Sequence, residues 1–179
     1  MGWFFNKNKS SKPVDSKMIV DASNKINVQV QGGLKMIATM TETSTPKTLG
    51  YYHLEMVCVF LGLHASCKTG FYARRGISPS EQPLVEDCFL EKSQCGDVEK
   101  RYIKSQIEFY MKLGSIDAIL DESLERVRYV LKNGHSYTFG QFASAGPLNL
   151  DIFSNDFQAE YLLTSKYHDC IKMGLDRIK

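Results

Sequence analysis

The chain has 179 residues, of which 43% are hydrophobic and 23% are charged, an ordinary composition for one globular domain. Its five cysteines are odd in number and irregular in spacing, which excludes a regular disulfide framework and indicates a reducing, intracellular compartment. No apolar run reaches the roughly 18 residues of a transmembrane helix, and the N-terminus lacks the pattern of a secretory signal, so we predict neither.

The net charge of +2 lies entirely in the first seventeen residues. Four lysines and one acid give this segment +3, and subtracting them from the totals of 22 and 20 leaves 18 basic and 19 acidic residues, or −1. Three aromatic residues directly precede the lysines. Near an anionic bilayer each lysine contributes roughly 1 kcal/mol, and aromatic rings favour the headgroup level. We therefore predict binding to an acidic membrane surface through Trp3, Phe4, Phe5, Lys7, Lys9, Lys12 and Lys17.

Residues 1–24 are rich in lysine, serine and asparagine, which predicts a flexible tail. Just after it, residues 26–30 alternate apolar and polar side chains, the two-residue period of a half-buried strand. Gly32 and Gly33 then predict a hairpin turn to a second strand at residues 34–40. A glycine bulge within one long strand is the other interpretation.

Three helices are predicted in the middle of the chain. A hydroxyl residue followed by proline starts the first, at residues 46–65, where apolar side chains recur at steps of three and four. Residues 67–96 hold several glycines and prolines and are predicted to be a long irregular connection. Asp97 then caps a second helix, which ends by Gly114, and a third helix follows at residues 115–125.

Two interpretations are open for residues 126–142. Alternating apolar residues around an Asn-Gly pair favour a β-hairpin, whereas the rival interpretation continues the third helix to Asn133. Residues 147–153 are predicted to be one more strand, and residues 155–174 a final helix. The predicted fold class is therefore α+β: a single compact domain, residues 25–179, with antiparallel strands or hairpins and about three to four helices.

No motif in the sequence points to catalysis. A GxSxG elbow, a phosphate loop and zinc-ligand spacing are absent, and we interpret the four scattered histidines as structural or solvated. We therefore predict no enzyme activity, catalytic residue, metal, cofactor or small-molecule substrate. Basic residues beside aromatics can hold phosphates or stack on bases, although a solvated loop is the simpler interpretation. The predicted secondary contact for nucleic acid or a partner is Phe71, Tyr72, Arg74 and Arg75.

An aromatic and lysine-rich segment at residues 2–9 is followed by the alternating residues 26–33 and by a helix with paired tyrosines at residues 48–62. This layout resembles small matrix proteins of rhabdoviruses. The resemblance covers the chain only as far as the end of that helix. It implies a compact α+β body that associates with itself and bridges the viral nucleocapsid to the inner membrane face. Unlike many members, this chain has no proline-rich budding motif in its tail.

The resemblance and the charge distribution together predict a non-enzymatic, matrix-like structural protein. Its expected partners are further copies of itself in a homo-oligomer, an acidic membrane surface, the viral nucleoprotein–RNA complex and possible host proteins. Its expected locations are the host cytoplasm, the inner membrane face and the virion. The alternative is a monomeric accessory protein that binds a host protein through its globular body.

Overall fold

The structure, a computed structural model, describes residues 15–41, 46–133 and 167–176, and every regular element in them is helical. The α-helices, in chain order, are α1 (Ser16–Thr41), α2 (Pro46–Ala65), α3 (Gln82–Lys92), α4 (Asp97–Met111), α5 (Ile116–Asn133) and α6 (Tyr167–Asp176). One 3₁₀ turn, Ala73–Arg75, lies between α2 and α3. The predicted α+β class is therefore wrong, because the described residues form an all-α fold without strands.

Helix α2 is the centre of the fold, with α1, α4 and α5 packed against it. Its bounds, Pro46 and Ala65, confirm the predicted first helix, which proline in the first helical position favours. Every residue from 54 to 65 is buried, whereas the sequence predicts a single apolar face. Apart from Glu55 and His64, this stretch is apolar all round, as expected of a helix buried on all sides, and three neighbouring helices supply the cover. The remaining packing joins α3 to α1, and α6 to both α1 and α5.

Helix α1 replaces the strands predicted at residues 26–40. Val28, which the two-residue alternation grouped with Ile26 and Val30, lies on the outer side of the helix and is 61% exposed. The apparent two-residue alternation therefore has a helical origin. Ile26 and Val30 lie on the buried face of the helix, and exposed Val28 falls between them in the sequence. The buried positions of α1 recur at helical steps of three and four: they are Ile19, Ala22, Ser23, Ile26, Gln29, Val30 and Gly33.

Gly33 lies inside α1 rather than in a turn. A Cβ atom at this position would lie 3.0 Å from Sδ of Met56 on α2, closer than packed atoms normally come. Glycine in a helix interior costs about 1 kcal/mol relative to alanine. Here it allows α1 to approach α2, and this packing overrides the local preference for a turn.

Helix α3 lies within residues 67–96, which the sequence predicts to be irregular. Pro83 stands in its first turn, where the missing N–H costs no helical hydrogen bond. Just before the helix, the Glu81 carboxylate accepts a hydrogen bond from the backbone N–H of Ser78 at 2.7 Å and closes a turn. The N-cap residue of α3 is Glu81 itself, and its side chain makes no capping hydrogen bond, so Pro83 is the sequence feature that favours the start of this helix.

Helices α4 and α5 follow the predicted second and third helices, with different ends. Asp97 is the first residue of α4 and not its cap, because Gly96 occupies the capping position. Helix α5 continues to Asn133, so the predicted hairpin is wrong for residues 126–133 and the rival helical interpretation is confirmed there. Packing against α2 and α6 overrides the strand preference of valine and tyrosine. The buried positions of α5 recur at helical spacing: Ile119, Leu120, Ser123, Leu124 and Val127.

Several predictions fall partly or wholly outside the described residues: the remainder of the ambiguous segment (134–142), the strand at 147–153 and the first part of the final helix (155–166). Helix α6 covers the rest of that predicted helix and extends to Asp176. At the other end, residues 16–24 of the predicted tail are helical, and residues 1–14 lie outside the described part. Of the helices described, none is both long and apolar enough to cross a membrane.

Gly62 allows the close approach of α2 and α4. A Cβ atom there would lie 2.7 Å from Cβ of Tyr110, an atom next to the backbone that cannot move away. We expect Gly62→Ala to lower the free energy of unfolding by about 1–3 kcal/mol, as overpacking does, when measured by urea unfolding. Gly114→Ala is the control, since nothing lies within 4 Å of its added Cβ, and it should change stability by less than about 0.5 kcal/mol. Equal stability of the two variants would contradict the close approach.

Candidate functional site

The predicted site residues divide into two groups. The first group is the N-terminal set of aromatic and lysine residues. Those from Trp3 to Lys12 lie outside the described residues, and Lys17 lies within them. Lys17 is exposed in the first turn of α1, and its backbone N–H donates to Oδ1 of Asp15 at 2.9 Å. The second group lies together in residues 66–76, between α2 and α3, which we call the basic turn: Phe71, Tyr72, Arg74 and Arg75.

The two aromatic rings of the basic turn are buried, with 1% of Phe71 and 2% of Tyr72 exposed. Their centroids are 5.3 Å apart at an interplanar angle of 77°, an edge-to-face contact. Phe71 also stacks on the imidazole of His64, with centroids 4.0 Å apart. The rings therefore anchor the turn in the core.

The two arginines lie at the surface of this anchor, Arg74 exposed and Arg75 half-buried. Nη1 of Arg74 donates to the carbonyl oxygen of Thr69 at 2.8 Å, and Nη1 of Arg75 donates to that of Phe71 at 3.1 Å. The Arg75 guanidinium also lies over the Phe71 ring, 3.9 Å from its centroid, in a cation–π contact. Both cations are thus held in defined positions, and exposed Lys68 adds a third positive charge to the turn.

His64, in the last turn of α2, connects the basic turn to α1 and α6. Nε2 of Gln29 donates to the carbonyl oxygen of Gly174 at 3.1 Å, so Oε1 of Gln29 faces Nε2 of His64, at 2.8 Å. Because an amide oxygen only accepts, Nε2 of His64 carries the proton and donates it. Nδ1 then accepts from the Thr69 hydroxyl at 2.9 Å, and the same hydroxyl oxygen accepts the backbone N–H of Phe71 at 3.2 Å. The direction of each hydrogen bond in this chain therefore follows from the one before it.

This environment keeps His64 neutral. Burial, followed by the charges of Arg75 and Arg74, lowers its pKa from 6.5 to about 3. Protonation would remove the acceptor that the Thr69 hydroxyl uses. Since the folded pKa lies below the unfolded one, the stability due to neutral His64 is present above about pH 6.5 and is lost as the pH falls towards 3. No local motif could have indicated this network, because Gln29 lies 35 residues from His64 in the chain.

A second buried polar cluster joins four helices. Glu55 of α2 accepts a hydrogen bond from the hydroxyl of Tyr110 on α4, while Ser123 of α5 and Tyr167 of α6 share one of 2.6 Å. Burial raises the pKa of Glu55, against the opposing influence of Tyr110 and of the Arg126 charge. The hydrogen-bonded members are all less than 9% exposed, so this cluster acts on the stability of the core rather than on a ligand in solution. Its partners are too distant in sequence for a motif to have revealed it.

The described residues contain no group of three His, Cys, Asp or Glu side chains that could hold a metal ion. Comparisons with protein-family models, curated proteins and solved structures find no match for this chain. The functional interpretation therefore depends on the charges of the N-terminal segment and of the basic turn.

We expect the His64 imidazole of the folded protein to remain neutral, with its proton on Nε2, at every pH above about 4. A pH series of two-bond ¹⁵N–¹H NMR spectra measures both the pKa and the tautomer. Thr69→Val removes the hydroxyl and keeps the side-chain shape, so it should lower stability by about 1–3 kcal/mol, whereas Thr69→Ser keeps the hydroxyl and is the matched control. Titration of His64 near pH 6.5, or a proton on Nδ1, would contradict the network.

We expect Glu55→Gln to be at least as stable as the unmodified protein at neutral pH. Glutamine keeps an oxygen for the Tyr110 hydroxyl but removes the buried charge. Since the folded pKa is raised, the stability due to the protonated carboxyl is fully present below about pH 4.5 and declines as the pH rises. Urea unfolding should therefore show the advantage of Glu55→Gln growing from pH 4.5 to neutrality. Exposed Glu108→Gln is the control, and an advantage that shrinks with rising pH would indicate a lowered pKa instead.

Proposed function

We propose that this protein is a non-enzymatic, matrix-like structural protein. Its N-terminal segment binds an acidic membrane surface, and its helical body associates with further copies and holds a ribonucleoprotein. The observation that carries this proposal is the separation of charge along the chain, +3 in the first seventeen residues and −1 in the remainder.

The size of this charge connects membrane binding to self-association. Four lysines at about 1 kcal/mol each amount to about 4 kcal/mol, which corresponds to a dissociation constant of about 1 mM. One copy would therefore bind only weakly. In an oligomer, the further copies bind at a high effective concentration and the contacts reinforce one another. A body close to neutral favours such association, because copies repel one another little.

The support for this role comes from charge and not from the fold. The resemblance to rhabdovirus matrix proteins implied an α+β body, whereas the described residues are all-α. We therefore retain membrane binding as the role of the N-terminal segment and do not use the fold of that family as support. A monomeric accessory protein would have the same charge separation but would not self-associate.

We expect Lys7→Gln/Lys9→Gln/Lys12→Gln to weaken binding to vesicles of phosphatidylcholine and phosphatidylserine by roughly 100-fold at low salt, since three lysines contribute about 3 kcal/mol. These residues precede α1, so the substitutions leave the described helices unchanged. Cosedimentation over a salt series is the measurement. Binding of the unmodified protein should fall as salt rises, because ions screen the attraction.

The matched control, Arg101→Gln/Lys104→Gln/Lys172→Gln, removes the same charge from exposed positions of the body and should bind as the unmodified protein does. Equal losses in the two triple variants would mean that net charge, rather than the N-terminal segment, drives binding. Salt-independent binding would contradict the proposal directly. Light scattering of the same samples tests self-association, and a monomer at every concentration would favour the accessory protein.

A further inference from the structure

We propose that the basic turn is a second contact for the same lipid surface, in which Arg74 and Arg75 bind headgroup phosphates beside the N-terminal lysines. This inference rests on the proposed membrane binding and adds to it a site in the folded body. The turn joins α2 to α3, so such a contact would orient the helical body on the membrane.

The two arginines are held in place before any ligand arrives. Each uses an N–H for a carbonyl oxygen of the turn, that of Thr69 for Arg74 and that of Phe71 for Arg75. A guanidinium has five N–H donors in a planar fork, so most donors of both side chains remain for anionic oxygens. Because the side chains are already positioned, phosphate binding costs less side-chain entropy.

Within the part of the chain that the structure describes, no ion pair holds the cations of the basic turn. Among the described residues, Arg74, Arg75 and Lys68 have no carboxylate within ion-pair distance. The arginines also act on groups beneath them, since both lower the pKa of His64. Burial lowers the pKa of Arg75, the Asp21 carboxylate opposes this effect, and the charge of Arg74 adds to the lowering. An anion bound by both guanidinium groups would relieve this repulsion.

The surroundings of the arginines favour a phosphate over a nucleic-acid base. Single-stranded nucleic acids are bound by cations together with exposed aromatic rings on which the bases stack. His64 stacks on Phe71 at 4.0 Å, and the Arg75 guanidinium lies 3.9 Å from the same ring. The two groups cannot share one face at these distances, so both faces of Phe71 are covered. Tyr72 is only 2% exposed. The turn therefore offers charge without a stacking surface, which suits a layer of headgroups.

The basic turn is joined to α1 through His64, which hydrogen-bonds Thr69 of the turn and Gln29 of α1. Asp21, two turns nearer the start of α1, raises the pKa of Arg75 against the larger effect of burial. Lys17 is exposed four residues before Asp21, on the same side of α1. Lys12 precedes Ser16 by four residues, which span at most about 14 Å of extended chain. The N-terminal lysines and the arginines can therefore reach one surface together.

The test compares Arg74→Gln/Arg75→Gln with Arg101→Gln/Lys172→Gln, which removes the same charge from exposed positions on α4 and α6. The probe is a vesicle of phosphatidylcholine and phosphatidylglycerol at low salt. We expect the arginine variant to bind roughly 10- to 30-fold more weakly than the unmodified protein, the effect of two cations at an anionic surface, and the control to bind as the unmodified protein does.

A second variant separates binding from folding, because Arg75 also packs on Phe71. Arg74→Gln alone keeps that contact and changes an exposed side chain. It should bind vesicles roughly fivefold more weakly, with an unchanged melting temperature.

Three outcomes decide the inference. Undiminished vesicle binding by both arginine variants, with weakened binding by Lys7→Gln/Lys9→Gln/Lys12→Gln, would overturn it and leave the proposed function standing. Undiminished binding by all of these variants would overturn both. Loss of binding to single-stranded poly(U) RNA, with unchanged vesicle binding, would overturn the lipid contact and assign the turn to nucleic acid.

Discussion

The burial of residues 54–65 of α2 on all sides is the constraint on which the rest of the structure depends. Every residue from 54 to 65 is buried, so α1, α4 and α5 must together enclose one helix. Burying a large apolar side chain contributes about 1.5–3 kcal/mol, and α2 supplies many of them. Gly33 and Gly62 provide the close approaches that this enclosure needs, the first against Met56 and the second against Tyr110. Helices α3 and α6 then complete the layer around the covering helices.

Two polar side chains on this buried helix determine how its surroundings are arranged. A buried polar group without a partner is costly, so Glu55 and His64 each require hydrogen bonds from neighbouring elements. The partner of Glu55 is Tyr110, whereas His64 meets Gln29 on one side and Thr69 on the other. The His64 network also has a consequence at the surface, because it holds the basic turn against α1 and thereby positions Arg74 and Arg75.

Two kinds of cation follow from this arrangement. Most of the N-terminal lysines precede the first helix, and the binding to an acidic surface that we propose for them would need only charge and reach. Arg74 and Arg75 are instead fixed by carbonyl groups and by an aromatic ring, so their contribution depends on the fold beneath them. A surface that engages both sets would bind the protein in one orientation, a requirement for any ordered layer of copies.

The sequence by itself determined the charge separation and the bounds of α2, because both follow from local composition and from proline at a helix start. It also contained a feature that favours the start of α3, because Pro83 stands in the first turn of that helix. Only the tertiary structure decided that residues 26–40 are helical, since their short alternation fits two periods and burial against α2 selects one. The burial of Phe71 and the neutral state of His64 were likewise decided by tertiary contacts, because Gln29 and Gly174, 145 residues apart, meet only in the folded chain.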